Sequence, residues 1–363
     1  MEFISKESNK RITHSIGFKV DKINSLPQQG VFSWRFSNAT GRAKNWTTPY
    51  CYRLDGINKY LKSAVQQSPS DLSSISNSQL TEEEALQLAD ELTSKLMEGE
   101  RPSSDQVSIQ RMVAGLGDTR GKLRLTFAKS LGAIGTEAIP ILCAALRKHE
   151  NVVVRRASAK TLNLIGSKIA LPYLLEAFLE DDDPVVLGSS AGAMATIGPE
   201  ALESLLGILV NPECTPFQVG LINLALTFIG AKAPEALLEA CDSPYAEVRV
   251  AAISALGDQI QALQDNRAMD RLIRAVDDES SEVRAEAVTL IGKSCDAEDV
   301  QDLLIKKLND TDPQVRKNTA LSLMKLTAYQ AIEGLTTAAN TEEDSDVRRV
   351  IQVAIKILRA GEE

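Results

Sequence analysis

Ser243-Pro244-Tyr245-Ala246-Glu247-Val248-Arg249-Val250-Ala251-Ala252-Ile253-Ser254-Ala255-Leu256-Gly257-Asp258 is the stretch whose reading decides the fold. A turn opens it and a Val-Arg pair begins a helix. The alanine- and leucine-rich run that follows has the spacing of one buried helical face. The same pattern returns along the chain. The residue at the Arg249 position is, copy by copy, Arg124, Arg155, Leu187, Val219, Arg249, Arg284, Arg316 and Arg348, at separations of 31, 32, 32, 30, 35, 32 and 32 residues. Half a unit earlier, Leu142, Leu174, Leu205, Leu237, Leu272, Leu303 and Leu335 form a second series, at separations of 32, 31, 32, 35, 31 and 32. Both series carry the same irregularity, which predicts a lengthened loop around Gln261 to Arg267.

Each unit reads as a first helix, such as Ala170 to Leu175, then a turn rich in Asp and Pro, then a second helix opening at Val-Arg and closing near a glycine. Asp183-Pro184 and Asp312-Pro313 place an N-cap and a first-turn proline where a helix start accepts them. Gly135, Gly166, Gly198 and Gly230 stand where a second helix ends in the left-handed conformation that glycine tolerates. One such helix pair cannot bury its apolar face alone, so neighbours must stack. The expectation is an all-α, right-handed α-solenoid of about eight short helical hairpins over 103–363. Ahead of it come an aromatic, basic segment (1–62), a Ser-rich linker (63–80) and a capping helix (81–102). Thr81 and Glu84 form a capping box for that helix, Leu86, Ala89, Leu92 and Leu96 make its apolar stripe, and Gly99 with Pro102 closes it.

Composition agrees with thin helix-on-helix packing: 44% of the chain is hydrophobic but only 4% aromatic. Nine of the sixteen aromatics precede residue 61, and Val31-Phe32-Ser33-Trp34-Arg35-Phe36 alternates like a short strand before a turn at Asn38 to Gly41. Residues 1–60 carry ten Lys/Arg against four Asp/Glu, whereas the whole chain has a net charge of −9. An acidic repeat body argues against nucleic-acid binding, which needs concentrated positive charge against phosphate. The five cysteines, Cys51, Cys143, Cys214, Cys241 and Cys295, show no CxxC pair or disulfide-like density, which suits a reducing compartment. With no secretory signal and no uninterrupted apolar run of spanning length, the expectation is a soluble protein without a transmembrane segment, in the cytoplasm or a plastid stroma.

The run Asp-x-x-x-x-Val-Arg-x-x-Ala-x-x-x-Leu, clearest at 243–258 and again at Glu282-Val283-Arg284-Ala285-Glu286-Ala287 and Asp312-Pro313-Gln314-Val315-Arg316, resembles the short HEAT-like repeat of phycobilisome lyases. The resemblance covers roughly 103–361. It implies a cyanobacterial or red-lineage plastid protein of the E/F-type bilin lyase family, whose members attach, isomerise or handle linear tetrapyrroles on phycobiliproteins. Relatives detach bilins or act as scaffolds, including in iron–sulfur cluster assembly. The resemblance therefore implies a phycobiliprotein subunit as partner and a phycocyanobilin-type bilin as substrate rather than as a permanently bound cofactor. Its alternative is a non-enzymatic scaffold joining protein partners.

Four groups of residues stand out as sites. Arg124, Arg249, Arg284, Arg316 and Arg348 read as a structural ladder, each reaching a turn carboxylate such as Asp278, Asp312 or Asp346. The ladder is interrupted at Leu187 and Val219. Beside them Gly188, Gly192, Ala195, Gly220, Leu224 and Thr227 are uncharged and mostly small, which either lets helices pack tightly or leaves a smooth trough for a helix or a flat apolar ligand. Arg155, Arg156 and Lys160 would border that trough, facing either solvent or the propionates of a bilin. The arm of Trp34, Arg35, Phe36, Arg42, Trp46 and Tyr50 either docks a partner or covers the first repeat. Support for catalysis is thin. His14 and His149 have no nucleophile at triad spacing, His149 reads as a favourable cation at a helix C-terminus, and the cysteines are too dispersed for a metal.

Overall fold

The computed structural model describes residues 80–263 and 266–362 of the chain. The expected strand at 31–36, the arm residues Trp34, Arg35, Phe36, Arg42, Trp46 and Tyr50, nearly all of the linker, His14 and Cys51 lie outside those residues. Among the described residues every regular element is a helix. A leading helix α1 (Glu82–Met97) is followed by eight hairpins: α2 (Gln106–Gly115) with α3 (Gly121–Ile134), α4 (Ile139–Lys148) with α5 (Val152–Ile165), α6 (Leu171–Glu180) with α7 (Pro184–Ile197), α8 (Pro199–Leu209) with α9 (Pro216–Gly230), α10 (Pro234–Ala240) with α11 (Ala246–Leu263), α12 (Asn266–Ala275) with α13 (Ser281–Ser294), α14 (Ala297–Lys307) with α15 (Pro313–Lys325), and α16 (Ile332–Thr341) with α17 (Ser345–Glu362).

Local chemistry sets most of these boundaries. Thr81 Oγ1 accepts from the Glu84 N–H (3.3 Å) while Glu84 Oε2 accepts from the Thr81 N–H (2.8 Å), a reciprocal cap that starts α1. The α1 core face is Ala85, Ala89 and Leu92, and Leu86 points outward instead of joining the expected stripe. Asp183 Oδ1 caps α7 by accepting from the N–H groups of Val185 and Val186 (both 3.0 Å), and Asp312 does the same for α15. Gly135, Gly166 and Gly198 have φ of 76°, 64° and 91°, where a side chain would be strained. Only Gly166 has the left-handed φ and ψ expected of all four; Gly230 keeps a negative φ and simply ends α9.

Burial follows the repeat. Val154, Val186, Val248, Val283, Val315 and Val347, each preceding the ladder position, are sealed in the core, as are Leu142, Leu174, Leu205, Leu237, Leu272 and Leu335. Each such side chain contributes on the order of 1.5–3 kcal/mol by leaving water. In the seventh repeat the buried leucine is Leu304, and Leu303 is half-buried. The extra residues do not make a long loop: they extend α11 to 18 residues, since Ala-, Ile- and Leu-rich sequence continues the helix as far as Leu263. Gly121–Lys148 has the length and apolarity of a membrane span, but Gly135 breaks it into two helices and half of it is buried in the stack.

Successive second helices pack against each other more closely than successive first helices do, so the second helices form the shorter, inner layer of the stack. Along the turn edge of this layer runs an arginine ladder. Arg155, Arg249, Arg284 and Arg316 each place two guanidinium nitrogens on one carboxylate of the next repeat: Asp181 (2.7 and 3.2 Å), Asp278 (2.9 and 2.7 Å), Asp310 (2.9 and 2.8 Å) and Glu342 (2.7 and 2.7 Å). Each also donates to a carbonyl of its own turn. The expected partners Asp312 and Asp346 are otherwise engaged. Asp312 caps its own helix and Asp346 pairs with Arg349. The acid that meets the ladder lies six residues before the next ladder position, where it also accepts the N–H two residues on. Arg124 and Arg348 make only the carbonyl half of this arrangement.

The ladder predicts how stability depends on pH. The Arg316 guanidinium beside Glu342 holds its carboxyl below the usual range, and Arg156 beside Asp183 lowers that carboxyl to about 2. Carboxylates depressed in the folded state add stability that is complete above their unfolded values near about 4 and is lost as pH falls through the folded values. The melting temperature should therefore stay nearly level from about pH 7 to about pH 5 and drop between about pH 4 and about pH 2. Thermal melts followed by far-UV circular dichroism across this range test it. A melting temperature that rises on acidification would contradict the ladder's contribution.

Candidate ligand trough on the inner helix layer

The ladder is interrupted on both sides of two adjacent seams. At the third repeat Leu187 replaces the arginine and is buried at 9% exposure. The acid position that would face it holds Glu213, which stays exposed. At the fourth repeat Val219 is half-buried, and the facing acid position holds Ser243, whose Oγ accepts the Tyr245 N–H in place of a carboxylate. Asp183 is unavailable to an arginine at position 187, because it caps α7 and binds Arg156. Leu187 and Val219 thus belong to the seam edge, and the open face lies one helical step away.

On that face, Gly188, Ala191, Gly192 and Ala195 of α7 meet Leu221, Leu224, Ala225 and Phe228 of α9 around a shallow depression of about 60 Å³. No charged side chain lines it. The glycines separate the two readings of the small residues. A Cβ built on Gly220 meets nothing within 4 Å, and one on Gly188 or Gly192 comes no closer than 3.8 Å to a neighbour. At Gly257 and Gly292 the same Cβ would come within 2.7 Å of Leu290 and 2.4 Å of Ser322. Helix packing demands glycine at Gly292, where backbone lies in the way, and would force the tip of Leu290 to move at Gly257, whereas it asks nothing at the α7 and α9 positions. The α7 and α9 glycines therefore leave backbone open on the surface. Val185, Phe217, Leu224 and Phe228 are exposed along the same two helices. Exposed apolar residues grouped on adjacent helices are the kind of surface that interaction sites use. Of these, only Leu224 is legible in the sequence as a site residue, since an exposed Phe228 at helical spacing looks the same as a core residue. Thr227 turns its hydroxyl back onto the Asn223 carbonyl (3.1 Å) and is not among the lining residues.

Comparison with known proteins places this architecture. HEAT repeats match residues 109–195, 234–305 and 269–356. The bilin biosynthesis protein MpeU of Synechococcus sp. (strain WH8020) is 55% identical over 275 residues, covering 76% of this chain and 93% of that protein. This chain belongs to the MpeU family of HEAT-repeat proteins. The uncharacterized phycocyanin operon protein Z of Pseudanabaena tenuis is 31% identical over 166 residues, which is 42% of this chain and 81% of that one. Among solved structures, the complex of CpcE and CpcF of phycocyanin lyase from Nostoc sp. PCC7120 is 18% identical over an alignment covering 70% of this chain and 96% of that one, with a TM-score of 0.29.

The other site expectations resolve within the HEAT framework. Arg155 is a ladder rung, and Arg156 binds Asp183 through Nε (2.8 Å) and Nη2 (2.5 Å), so neither guanidinium is free to meet a ligand carboxylate. Both are held because the next repeat supplies acids at their seam. Lys160 is exposed, one turn from Asn163, whose Nδ2 lies 3.8 Å from the Cβ position of Gly192. That spacing puts Lys160 on the α5 side of the trough, and Lys232, whose Nζ donates to the Thr196 carbonyl (3.5 Å), is a second basic group near the end of α7. His149 is not a helix-end cation. Burial first, and then the Arg155 charge, lower its pKa against the pull of Glu150, while Nδ1 accepts the Asn151 N–H (3.1 Å). Burial pushes the Cys143 thiol up, that of Cys241 to about 12 and that of Cys295 to about 11, so these are thiols packed as small hydrophobes and not thiolates. A larger cavity of about 310 Å³ opens between α4 and α6, lined by Arg147, Arg155, Glu176, Glu180 and Asp181. Its main charges neutralise one another, Arg147 on Glu176 (2.7 Å) and Arg155 on Asp181 (2.7 Å), so it holds structural pairs where the trough offers open apolar surface.

Proposed function

We propose that this chain binds a phycobiliprotein subunit along its inner helix layer and holds that subunit's linear tetrapyrrole against the α7–α9 trough during bilin attachment or handling. The observation that carries the reading is the open, uncharged surface at Gly188, Gly192, Gly220, Leu224 and Phe228, where the ladder stops and glycine is not needed for packing. A tetrapyrrole is flat and apolar with two carboxylates, and Lys160 at the trough's edge suits one of these. The 55% identity to a bilin biosynthesis protein supports the same class of ligand. A depression of about 60 Å³ is far smaller than the ~300–1,000 Å³ of an enclosing ligand pocket, which favours a bilin presented on its protein over a free bilin swallowed whole.

The test is binding of a bilin-carrying phycobiliprotein subunit, followed by the visible absorption of the bilin, which responds to extension and protonation of the tetrapyrrole. Leu224→Asp puts a carboxylate where apolar surface is to be covered, and should weaken binding at least about ten-fold, a factor needing only about 1.4 kcal/mol. Lys160→Glu should weaken it by a smaller factor and lessen its salt dependence. Binding with no spectral change, unaffected by Leu224→Asp, would replace this reading with that of a scaffold using another face.

A further inference from the structure

The first and last described helices carry opposite charge on the sides turned away from the core. At the N-terminal end, the side of α1 turned away from Ala85, Ala89 and Leu92 exposes Glu83, Asp90 and Glu91, flanked by Leu86 and by Met97, which is 83% exposed. At the C-terminal end, the side of α17 turned away from Val347, Ile351, Ala354 and Leu358 exposes Arg349, Lys356 and Arg359, flanked by Val353 and Ile357 at about half exposure. The local pairs there, Glu91 with Lys95 and Arg349 with Asp346, are exposed ones of the kind that exchange at little cost. A chain of net charge −9 thus keeps a basic, partly apolar face at its last helix.

The ladder shows the same polarity. Arg348, the ladder residue of α17, donates to the Glu342 carbonyl of its own turn and meets no carboxylate among the described residues. At the other end the acid position is closed from within, because Asp118 is held by Arg120 at 2.7 Å.

We propose that copies of this chain associate head to tail, the basic face of α17 seating on the acidic face of α1 of the next copy. Opposite potentials and paired apolar residues at the two faces make the contact heterologous, with each copy using a different surface at each end. Single helix faces bury little area, so the association is weak and governed by ionic strength.

Sedimentation velocity of the full chain, from about 1 to about 200 μM and at about 20 and about 500 mM NaCl, tests it. Average mass should rise with concentration at low salt, and at high salt the association should weaken at least about ten-fold. Arg349→Glu with Lys356→Glu should leave the chain monomeric at low salt, and so should Glu83→Lys with Asp90→Lys. The chain carrying all four substitutions has its charges exchanged end for end and should associate again. Far-UV circular dichroism confirms that each variant is folded. A monomer under every condition overturns the proposal. So does association that survives either pair of substitutions, or a four-fold variant that stays monomeric, which would assign the α17 face to a different partner.

Discussion

Arg284→Met is expected to destabilise the chain by about 3 kcal/mol, the lower end of the cost of breaking a buried ion pair. Arg284 grips Asp310 through both Nε and Nη2, and the Asp310 side chain is only 6% exposed. Removing the guanidinium strands a carboxylate at the α13–α15 seam. Lys307, with Nζ 3.8 Å from Asp310, offsets part of that loss, which keeps the estimate at the low end. Adding Asp310→Asn to Arg284→Met should recover a measurable share, because the stranded charge is then gone, and a double-mutant cycle reads the coupling directly. Arg349→Met, on an exposed pair, should change stability by no more than about 1 kcal/mol. Because repeat arrays unfold in parts, hydrogen exchange localised to α13 and α15 is a better readout than one global transition. Equal protection in Arg284→Met and the parent chain would show that the ladder does not hold the seam.

The second large effect contrasts two glycines that look alike in the sequence. Gly292→Leu should cost more than about 3 kcal/mol, beyond the usual range for overpacking. Even a Cβ there would lie 2.4 Å from Ser322 Oγ and 2.9 Å from its Cα, so backbone and not merely a side-chain tip would have to move. Ser322 would also lose the bond it donates to the Val288 carbonyl (2.9 Å). Gly192→Leu should leave stability unchanged or raise it by up to about 1 kcal/mol, since leucine favours helix over glycine and the space beside it is open. The same substitution fills the trough and should cost at least about ten-fold in binding of the bilin-carrying subunit. Melting temperatures and binding isotherms measured on both variants decide the matter. A stable Gly292→Leu chain, or a Gly192→Leu chain that binds normally, would remove the distinction on which the trough rests.

The number of repeats, the pairing of their helices and the identity of their caps are local properties, and they are legible without any structure. Two independent series share one period because every hairpin must bury the same face, and Asp183 and Asp312 announce helix starts because an N-cap needs only its own next residues. The existence of an arginine column is legible for the same reason. Its partners are not. Asp310 and Asp312 stand two residues apart in one turn, and the choice of which caps a helix and which meets Arg284 depends on where the neighbouring repeat lies. The extra residues after Gly257 are countable, but their addition to α11 rather than to a loop is not. Gly192 and Gly292 are equally small residues on second helices. One faces open space and the other faces Ser322, because the spacing of adjacent helices is set by side chains a whole repeat away in the sequence. Periodicity determines what each repeat is made of, while the contacts between repeats decide which of its surfaces are sealed and which remain open to a ligand.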